Sequence, residues 1–379
     1  MNISKTTLSD CSDYRITLHR ARDCKGVIVT FDAFNTDLAD AGFGTDFVLS
    51  QGYSNIYVAQ RLGTQYQGLS LDDFRDAVFT HCAGRDVFTY GASLGGYCAL
   101  YYAGVIDATA IAFSPRNSAH PLITGKSRGA KNKFKYLTFH HLAEGYPTSD
   151  KNPVIIYDNQ VELDEFFINN WVKPHYPDSK VSVYKFAGHE TAKALLKVGM
   201  LKTFFAEAVQ GRALPCLGDA YESSITKVNK SQQLVQLGDY GSAVTLLEEV
   251  LRNDRNNVLA AEVLCSALRL TQRRKNFNYD LLSHINNPDY HKGYFDDQFY
   301  LNKYRDVRES TSMSKIPFLH FMIYGAFEGR IAGLSYNGEV YLKANNDIAR
   351  AKLHPFAHYI RYGRKEGRVA TCPPPPPSL

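Results

Sequence analysis

Long hydrophobic runs are absent from the 379-residue sequence. No stretch of about 18 apolar residues, the length that crosses a bilayer, occurs, and the N-terminal segment MNISKTTLSDCSDYRITLHR has no apolar core of a signal peptide. We therefore expect no membrane span and a cytoplasmic protein. Cysteine is also scarce. The sequence has seven cysteines, which is an odd number, and none of them has CxxC spacing. This usage is typical of reduced thiols that pack in a core, and it argues against a disulfide framework or a zinc site.

An excess of one charge sign is missing as well. The formal net charge is only +5 at pH 7, and the basic residues are scattered instead of forming a stripe that could follow phosphates. The sequence also has no GxxxxGK loop, no HExxH motif and no convincingly spaced pair of carboxylates. We expect no nucleic-acid partner, no cofactor and no metal.

What the sequence does have is enough apolar material for a large core, with 44% hydrophobic residues, 25 Tyr and 22 Phe. Its length predicts two or three domains. The first 210 residues alternate β-branched or aromatic runs with amphipathic stretches, which predicts an α/β fold with a mainly parallel sheet and helices on both faces. We predict strands at 15–19, 26–31, 54–59, 86–90, 108–113, 153–157 and 181–186, and helices near 70–81, 94–104, 164–172 and 190–209.

A G-x-S-x-G motif follows the fourth of these strands directly. In DVFTYGASLGGYCALYYAG, glycines flank Ser93 on a sharp turn from strand to helix. This turn presents the serine hydroxyl at the sheet edge, and the backbone N–H of Leu94 at the helix start would stabilise negative charge there. A bare motif of this kind also occurs as an ordinary glycine-rich turn.

A histidine and several acids follow in the chain order Ser, acid, His. With this order, the region resembles the α/β-hydrolase family, and GASLGGYCAL is similar to the nucleophile segment of its esterase and acyl-transfer members. His189 follows the last strand and is the expected base, although it could instead cap the next helix. Asp158 ends its strand and is the first choice for the acid. Glu162 and Asp164 are the alternatives, Asp164 also being a candidate helix N-cap.

The resemblance also implies a second donor to the oxyanion, from the loop after the strand VIVTF. Ala33 is the best candidate and Phe34 the alternative, whereas Asp32 could simply cap this loop. Residues 120–150 interrupt the alternation and should form a small cap near the site. The basic residues of this cap could bind an anionic substrate, such as an acidic glycan or a coenzyme A thioester, or could be a solvated loop; they are Lys126, Arg128, Lys131, Lys133 and Lys135.

The C-terminal region, predicted to be all-α, contains two kinds of repeat. Residues 218–280 form a helical hairpin that resembles one tetratricopeptide repeat and part of another, at Leu237, Gly238, Tyr240, Ala243 and Leu247. Residues 281–370 contain an internal duplication similar to the YLxxxPDV…HYxxxGxxEGR repeat that accompanies proteins of bacterial surface-polysaccharide pathways. The matched pairs include Tyr300/Tyr341, Asp306/Asp347, His320/His358, Gly325/Gly363 and Arg330/Arg368.

These boundaries divide the chain into a hydrolase domain (1–212), the hairpin (218–280), the duplicated unit (281–370) and a proline-rich tail (371–379). The expected function is a serine hydrolase that acts through an acyl-enzyme on an acyl ester or acylated glycan. From the resemblance of the repeats, this would be an esterase or deacetylase of bacterial surface polysaccharide. An O-acyltransferase with the same residues is one alternative. The other is a non-catalytic scaffold whose repeats bind a protein partner, although the aromatic and histidine residues of the repeats are also typical of a core.

Overall fold

The structure, a computed structural model, describes residues 3–22, 24–217, 222–271 and 277–371. The chain divides into two units, residues 1–226 and residues 227–379. No helix in the described part is long and apolar enough to cross a membrane. Six of the seven cysteines lie among the described residues, and none of these six forms a disulfide. The predicted tail from residue 372 onward lies outside the described residues.

An eight-stranded sheet forms the centre of the N-terminal unit, with the order β1-β2-β4-β3-β5-β6-β7-β8. The strands β3 to β8 are parallel, whereas β2 runs antiparallel to both β1 and β4. The predicted mainly parallel sheet is therefore confirmed. The strands are β1 (Ile3–Asp10), β2 (Tyr14–Ala21), β3 (Val27–Phe31), β4 (Ser54–Gln60), β5 (Val87–Ala92), β6 (Thr109–Phe113), β7 (Val154–Tyr157) and β8 (Lys180–Val183).

Helices cover both faces of this sheet, because its central strands are apolar on both sides. In β3, Val29 and Phe31 face one hydrophobic cluster and Ile28 faces another, as the twofold alternation of a strand requires. The helices are α1 (Thr45–Ser50), α2 (Leu71–Cys82), α3 (Leu94–Tyr101), α4 (Pro121–Lys126), α5 (Arg128–Lys133), α6 (His141–Glu144), α7 (Glu162–Phe167), α8 (Lys173–His175), α9 (Thr191–Lys197) and α10 (Leu201–Val209). The clusters place α2, α3 and α7 on one face, and α1, α9 and α10 on the other.

Two elements differ from the sequence-based prediction. The edge strand β1 was not predicted, because most of its side chains are exposed and polar and it lacks an apolar alternation. The helix predicted at 190–209 is two helices, α9 and α10. The chain turns between them at Gly199, whose φ of 72° ends the first helix in the left-handed region.

The C-terminal unit is helical apart from two very short strands, and one hydrophobic core runs through it from Val228 to Ala370. The predicted hairpin and the duplicated segment share this core. Helix α11 begins just before the boundary of the unit. The elements are α11 (Ser224–Leu237), α12 (Tyr240–Asn253), α13 (Val258–Leu268), α14 (Pro288–His291), α15 (Asp297–Lys303), α16 (Arg305–Arg308), α17 (Pro317–His320), β9 (Ile331–Gly333), β10 (Tyr336–Asn337), α18 (Gly338–Ala344), α19 (Asn346–Arg350) and α20 (Pro355–His358).

Equivalent aromatic residues of the duplicated segment make equivalent contacts. The Tyr300 hydroxyl lies 3.1 Å from His320 Nδ1, and in the second copy the Tyr341 hydroxyl lies 2.7 Å from His358 Nδ1. Both tyrosines are fully buried. Burial lowers the pKa of His320 to about 4, which keeps this imidazole neutral at pH 7. Tyr300, Tyr341 and His320 are buried and therefore stabilise the fold of the two copies.

An arginine ion pair is repeated in the same way. Arg330 donates two hydrogen bonds to Asp306, at 2.7 and 3.0 Å. Arg368 contacts both carboxylate oxygens of Asp347, at 2.7 and 2.9 Å. The Glu-Gly-Arg motif of the sequence thus places each arginine against the aspartate of the same copy.

A cavity of about 360 Å³ also lies inside the C-terminal unit. The buried carboxylate of Glu262 lies in its wall and accepts hydrogen bonds from Tyr290, at 2.5 Å, and from Arg361, at 3.0 Å. Burial raises the pKa of Glu262, while Arg361 opposes this shift. The two charges of this wall therefore compensate each other.

Candidate active site

Ser93 occupies the single residue between strand β5 and helix α3. Its backbone has φ 55° and ψ −119°, a conformation that L-residues rarely adopt. The strain is maintained by hydrogen bonds on both sides, from Ser93 N–H to Phe113 O at 2.9 Å and from Arg116 N–H to Ser93 O at 3.1 Å. The sequence therefore forms the sharp turn that the G-x-S-x-G motif predicts.

The two glycines of the motif are required by close backbone approach. A Cβ atom at Gly91 would overlap the carbonyl group of Gly95, and a Cβ atom at Gly95 would overlap the carbonyl oxygen of Phe31. A side chain at Gly91 would force the start of α3 away from β5, and a side chain at Gly95 would force it away from the end of β3. The same contact brings the loop after β3 against the residues that follow Ser93.

The side chains of three residues form a continuous chain of hydrogen bonds. His189 Nε2 lies 2.7 Å from Ser93 Oγ, and His189 Nδ1 lies 2.7 Å from Asp164 Oδ2. Asp164 is fully buried at the start of α7, whereas the His189 side chain is 28% exposed. The carboxylate can thus accept from Nδ1–H, which leaves Nε2 unprotonated and able to accept the hydroxyl proton of Ser93.

Asp158, the first choice for the acid, does not make the expected contact with His189. Its carboxylate accepts hydrogen bonds from the backbone N–H of Gly188, at 2.8 Å, and of Gln160, at 3.0 Å. Burial raises the pKa of Asp158, and the neighbouring charge of Asp164 contributes to this shift. The loop after β7 turns back on Asp158 and delivers Asp164, six residues later, to the imidazole. Asp158 therefore fixes the loop that carries the histidine.

Arg116 is part of this site, although the sequence analysis did not identify it. Its Nη1 lies 2.6 Å from Asp164 Oδ1, and only 15% of its side chain is exposed. Its backbone N–H binds the carbonyl oxygen of Ser93. One residue thus contacts both the turn of the serine and the buried carboxylate. The only hint in the sequence is a basic residue directly after a buried strand, in AFSPRNS.

Of the two expected oxyanion donors, Leu94 has the predicted position. It is the first residue of α3, where the first N–H groups of a helix have no acceptor within the helix and attract negative charge. The side chain of Leu94 is buried, so its backbone N–H is the group that it can offer to an oxyanion at Ser93.

The Ala33 N–H group is already engaged, contrary to the expectation that it is free for an oxyanion. It donates to Asp32 Oδ1 at 2.8 Å, and Asp32 Oδ2 accepts a short hydrogen bond from Tyr57. Asp32 thus caps its loop. Among the described residues, Phe34 N–H has no hydrogen-bond acceptor, and its ring is 47% exposed. Phe34 is therefore the better candidate in this loop.

His120 and His141 belong to the core of the N-terminal unit. His141 stacks on Tyr101 with ring centroids 4.0 Å apart and lies 3.0 Å from the Tyr97 hydroxyl. Burial lowers the pKa of His141 to about 3 and that of His120 to about 4. Both imidazoles are neutral at pH 7. No cluster of three or more potential metal ligands occurs within the ranges that the structure describes.

Comparisons with known proteins give matches only among solved structures. No family model and no curated protein matches the chain. Est1E from Butyrivibrio proteoclasticus is 13% identical, covers 54% of this chain and 99% of its own, with a TM-score of 0.35. Alpha/beta hydrolase domain-containing protein 10 from mouse is 16% identical and covers 55% of this chain and 99% of its own, with a TM-score of 0.39. XC6422 from Xanthomonas campestris, an α/β serine hydrolase without a lid, is 15% identical and covers 57% of this chain and 97% of its own, with a TM-score of 0.35.

Proposed function

We propose that the N-terminal unit is a serine hydrolase that forms an acyl-enzyme on Ser93. The observation that carries this proposal is the chain of hydrogen bonds from Asp164 through His189 to Ser93, with 2.7 Å at each of its two steps. A serine hydroxyl is a weak nucleophile at neutral pH, and a base within hydrogen-bond distance that is itself oriented by a buried carboxylate is what activates it.

In the first half of the reaction, Ser93 Oγ attacks the carbonyl carbon of an ester while its proton moves to His189 Nε2. The resulting oxyanion would lie at the N-terminus of α3, where Leu94 N–H donates, with Phe34 N–H as the second donor. The ester C–O bond then breaks, and His189 gives the proton to the leaving alcohol. In the second half, His189 takes a proton from water while the water oxygen attacks the acyl carbon. The bond between this carbon and Ser93 Oγ then breaks, His189 returns the proton to Ser93 Oγ, and the acyl group leaves as an acid.

Asp164 and Arg116 support these steps without touching the substrate. Asp164 holds the imidazole in the tautomer that has an unprotonated Nε2 and stabilises its positive charge after proton transfer. The guanidinium group of Arg116 binds Asp164 Oδ1 and helps to hold this carboxylate, whose Oδ2 and Oδ1 lie 2.7 and 2.9 Å from His189 Nδ1. Arg116 is therefore a positioning residue.

A fluorophosphonate probe tests the nucleophile directly. The wild-type chain should gain the mass of one phosphonyl group, and the Ser93→Ala variant should gain none. Ser50→Ala removes an exposed serine from helix α1 and should label as the wild type does. No labelling of the folded wild-type chain, or labelling that persists in Ser93→Ala, would contradict the proposal and favour a non-catalytic scaffold.

For the substrate, we propose an acylated glycan, as an esterase or deacetylase of bacterial surface polysaccharide. This step is supported by the duplicated C-terminal segment, whose sequence resembles repeats that accompany such proteins. Acetate release from acetylated polysaccharides tests it, with 4-nitrophenyl acetate as the generic ester. Transfer of the acetyl group to an added deacetylated glycan, in place of acetate release, would assign the chain to the O-acyltransferases instead. Hydrolysis of 4-nitrophenyl acetate without action on any glycan would contradict the glycan substrate.

A further inference from the structure

The distribution of charge along the chain is strongly uneven between strands β6 and β7. From residue 108 to residue 143 the sequence has six basic residues and no Asp or Glu, although the whole chain has a net charge of only +5. One of the six, Arg116, is buried against Asp164. The other five belong to helices α4 and α5 and to the residues directly after α5. This cap segment, residues 121–136, therefore concentrates positive charge in one short stretch.

Contacts at both ends of the cap segment connect it to the two sides of the candidate site. At one end, Lys126 Nζ lies 3.0 Å from Glu162 Oε1 and 4.6 Å from the ring centre of Phe166, both on the helix that carries Asp164. At the other end, Lys133 Nζ lies 4.6 Å from the ring centre of Phe34, in the loop beside the turn of Ser93. The segment thus extends from the acid side to the oxyanion side of the site.

The remaining cations of the cap segment are not neutralised by acidic side chains. Arg128, Lys131 and Lys135 are exposed, and none has a carboxylate within 4 Å in the described part of the chain. In contrast, many arginines elsewhere on the surface, such as Arg15, Arg75 and Arg305, are paired with aspartate or glutamate. Unpaired like charges on one short helix repel each other. A cluster of unpaired cations next to a catalytic serine is expected if a bound anionic ligand supplies the negative charge that neutralises them.

Building on the proposed function, we infer that the ester substrate carries an anionic group, which Arg128 and Lys131 of the cap segment attract to the site. A carboxylate or sulfate on the ester would lie between the cap and the loop of Phe34 while its carbonyl group reaches Ser93. The attraction between the exposed cations of the cap segment and the anionic group raises the association rate of the substrate and lowers KM. Because these charges are exposed to solvent, salt weakens the attraction.

Matched pairs of esters that differ in one charge test this inference. The first pair is 4-acetoxybenzoate and its neutral methyl ester, in which the leaving group carries the charge. The second pair is mono-4-nitrophenyl adipate and its neutral methyl ester, in which the acyl group carries it. Each kcat/KM is divided by the rate constant of uncatalysed hydrolysis, which corrects for the different reactivity of the esters. The wild-type chain should prefer the anionic member of at least one pair, mainly through KM.

The variant Arg128→Gln/Lys131→Gln removes two charges that make no ion pair in the described structure, so the fold should tolerate it. We expect kcat/KM for the preferred anionic ester to fall by about tenfold and for its neutral partner to stay unchanged, since one exposed charge contributes about a threefold effect. Lys197→Gln/Lys202→Gln removes the same charge from helices on the opposite face of the sheet. This control should keep the preference, whereas 0.5 M NaCl should abolish it in the wild type.

Each result has a clear meaning for this inference. An equal rate for both members of both pairs, with turnover that depends on Ser93, would overturn the anionic substrate and leave the serine hydrolase standing. Equal losses in the cap variant and in the control variant would also overturn it, because the effect would then come from total charge. An absence of any turnover that depends on Ser93 would overturn both the inference and the function on which it rests.

Discussion

The assignment of the acid can be tested by one pair of isosteric changes, Asp164→Asn and Asp158→Asn. In Asp164→Asn the amide group has one acceptor oxygen where the carboxylate has two. With this oxygen directed to Arg116, the NH₂ group takes the position of Oδ2, the carboxylate oxygen closer to His189 Nδ1. When the NH₂ group donates to Nδ1, the imidazole carries its proton on Nε2, which points to Ser93 Oγ and can no longer accept the hydroxyl proton.

The expected loss in kcat is about 10⁴-fold, equivalent to about 5.4 kcal/mol, as for the corresponding Asp→Asn change in a serine protease triad. Asp164→Asn also removes one charge from a buried ion pair and should lower the free energy of unfolding by about 3 kcal/mol. In Asp158→Asn, one oxygen still accepts a backbone N–H, so the loop of His189 loses one hydrogen bond. We expect no more than about a tenfold loss of activity there, from about 1.4 kcal/mol.

Both variants are assayed with 4-nitrophenyl acetate at 15 °C, after circular dichroism has shown that each is folded at that temperature. Comparison of burst and steady-state phases separates acylation of Ser93 from deacylation. A folded Asp164→Asn variant that kept a tenth of the wild-type kcat would contradict the assignment of Asp164 as the acid. The assignment would equally be refuted if Asp158→Asn were the variant that lost four orders of magnitude.

Three further predictions concern the fold around the site and in the C-terminal unit. Gly91→Ala should lose Ser93 labelling, or fail to fold, because its Cβ would overlap the carbonyl group of Gly95, and fluorophosphonate labelling of the soluble fraction measures this. The free energy of urea unfolding should be constant above pH 6.5 and should decrease below pH 6.5, by up to about 1.4 kcal/mol per pH unit for each of His120 and His141. The reason is that these histidines bind protons in the unfolded chain, whereas in the folded core their pKa values are only about 4 and 3. Equal free energies at pH 7 and pH 5 would contradict this. Gly325→Ala should destabilise the C-terminal unit by about 2 kcal/mol in thermal unfolding, because its Cβ would overlap the buried hydroxyl group of Tyr300. The double variant Gly325→Ala/Tyr300→Phe, which lacks this hydroxyl group, should restore part of the lost stability.

The fold of the N-terminal unit was largely predictable, because strands buried on both faces leave a clear record in the sequence. The segment VIVTF is apolar throughout, and the structure places it at the centre of the sheet. Strand β1 leaves no such record, since its residues face solvent and it is held by backbone pairing with β2. Local sequence cannot reveal a strand that depends on its neighbour.

The serine and the histidine were predictable for a related reason, whereas the acid was not. Ser93 is marked by the glycines that its turn requires, and His189 by the end of the last strand. Asp158 and Asp164 both follow β7, and only the path of the loop decides which of them meets the imidazole. Asp158 is held by Gln160 within this loop and by Gly188 in the loop of His189, a contact across 30 residues that no spacing rule contains.

The position of Arg116 has a mechanical consequence for the whole unit. Its backbone is tied to the serine turn and its guanidinium group to the acid, and the chain continues from it into the cap segment. A ligand that shifts the cap segment would therefore act, through Arg116, on both the serine turn and Asp164. We therefore expect binding at the cap segment to be coupled to the alignment of Ser93, His189 and Asp164.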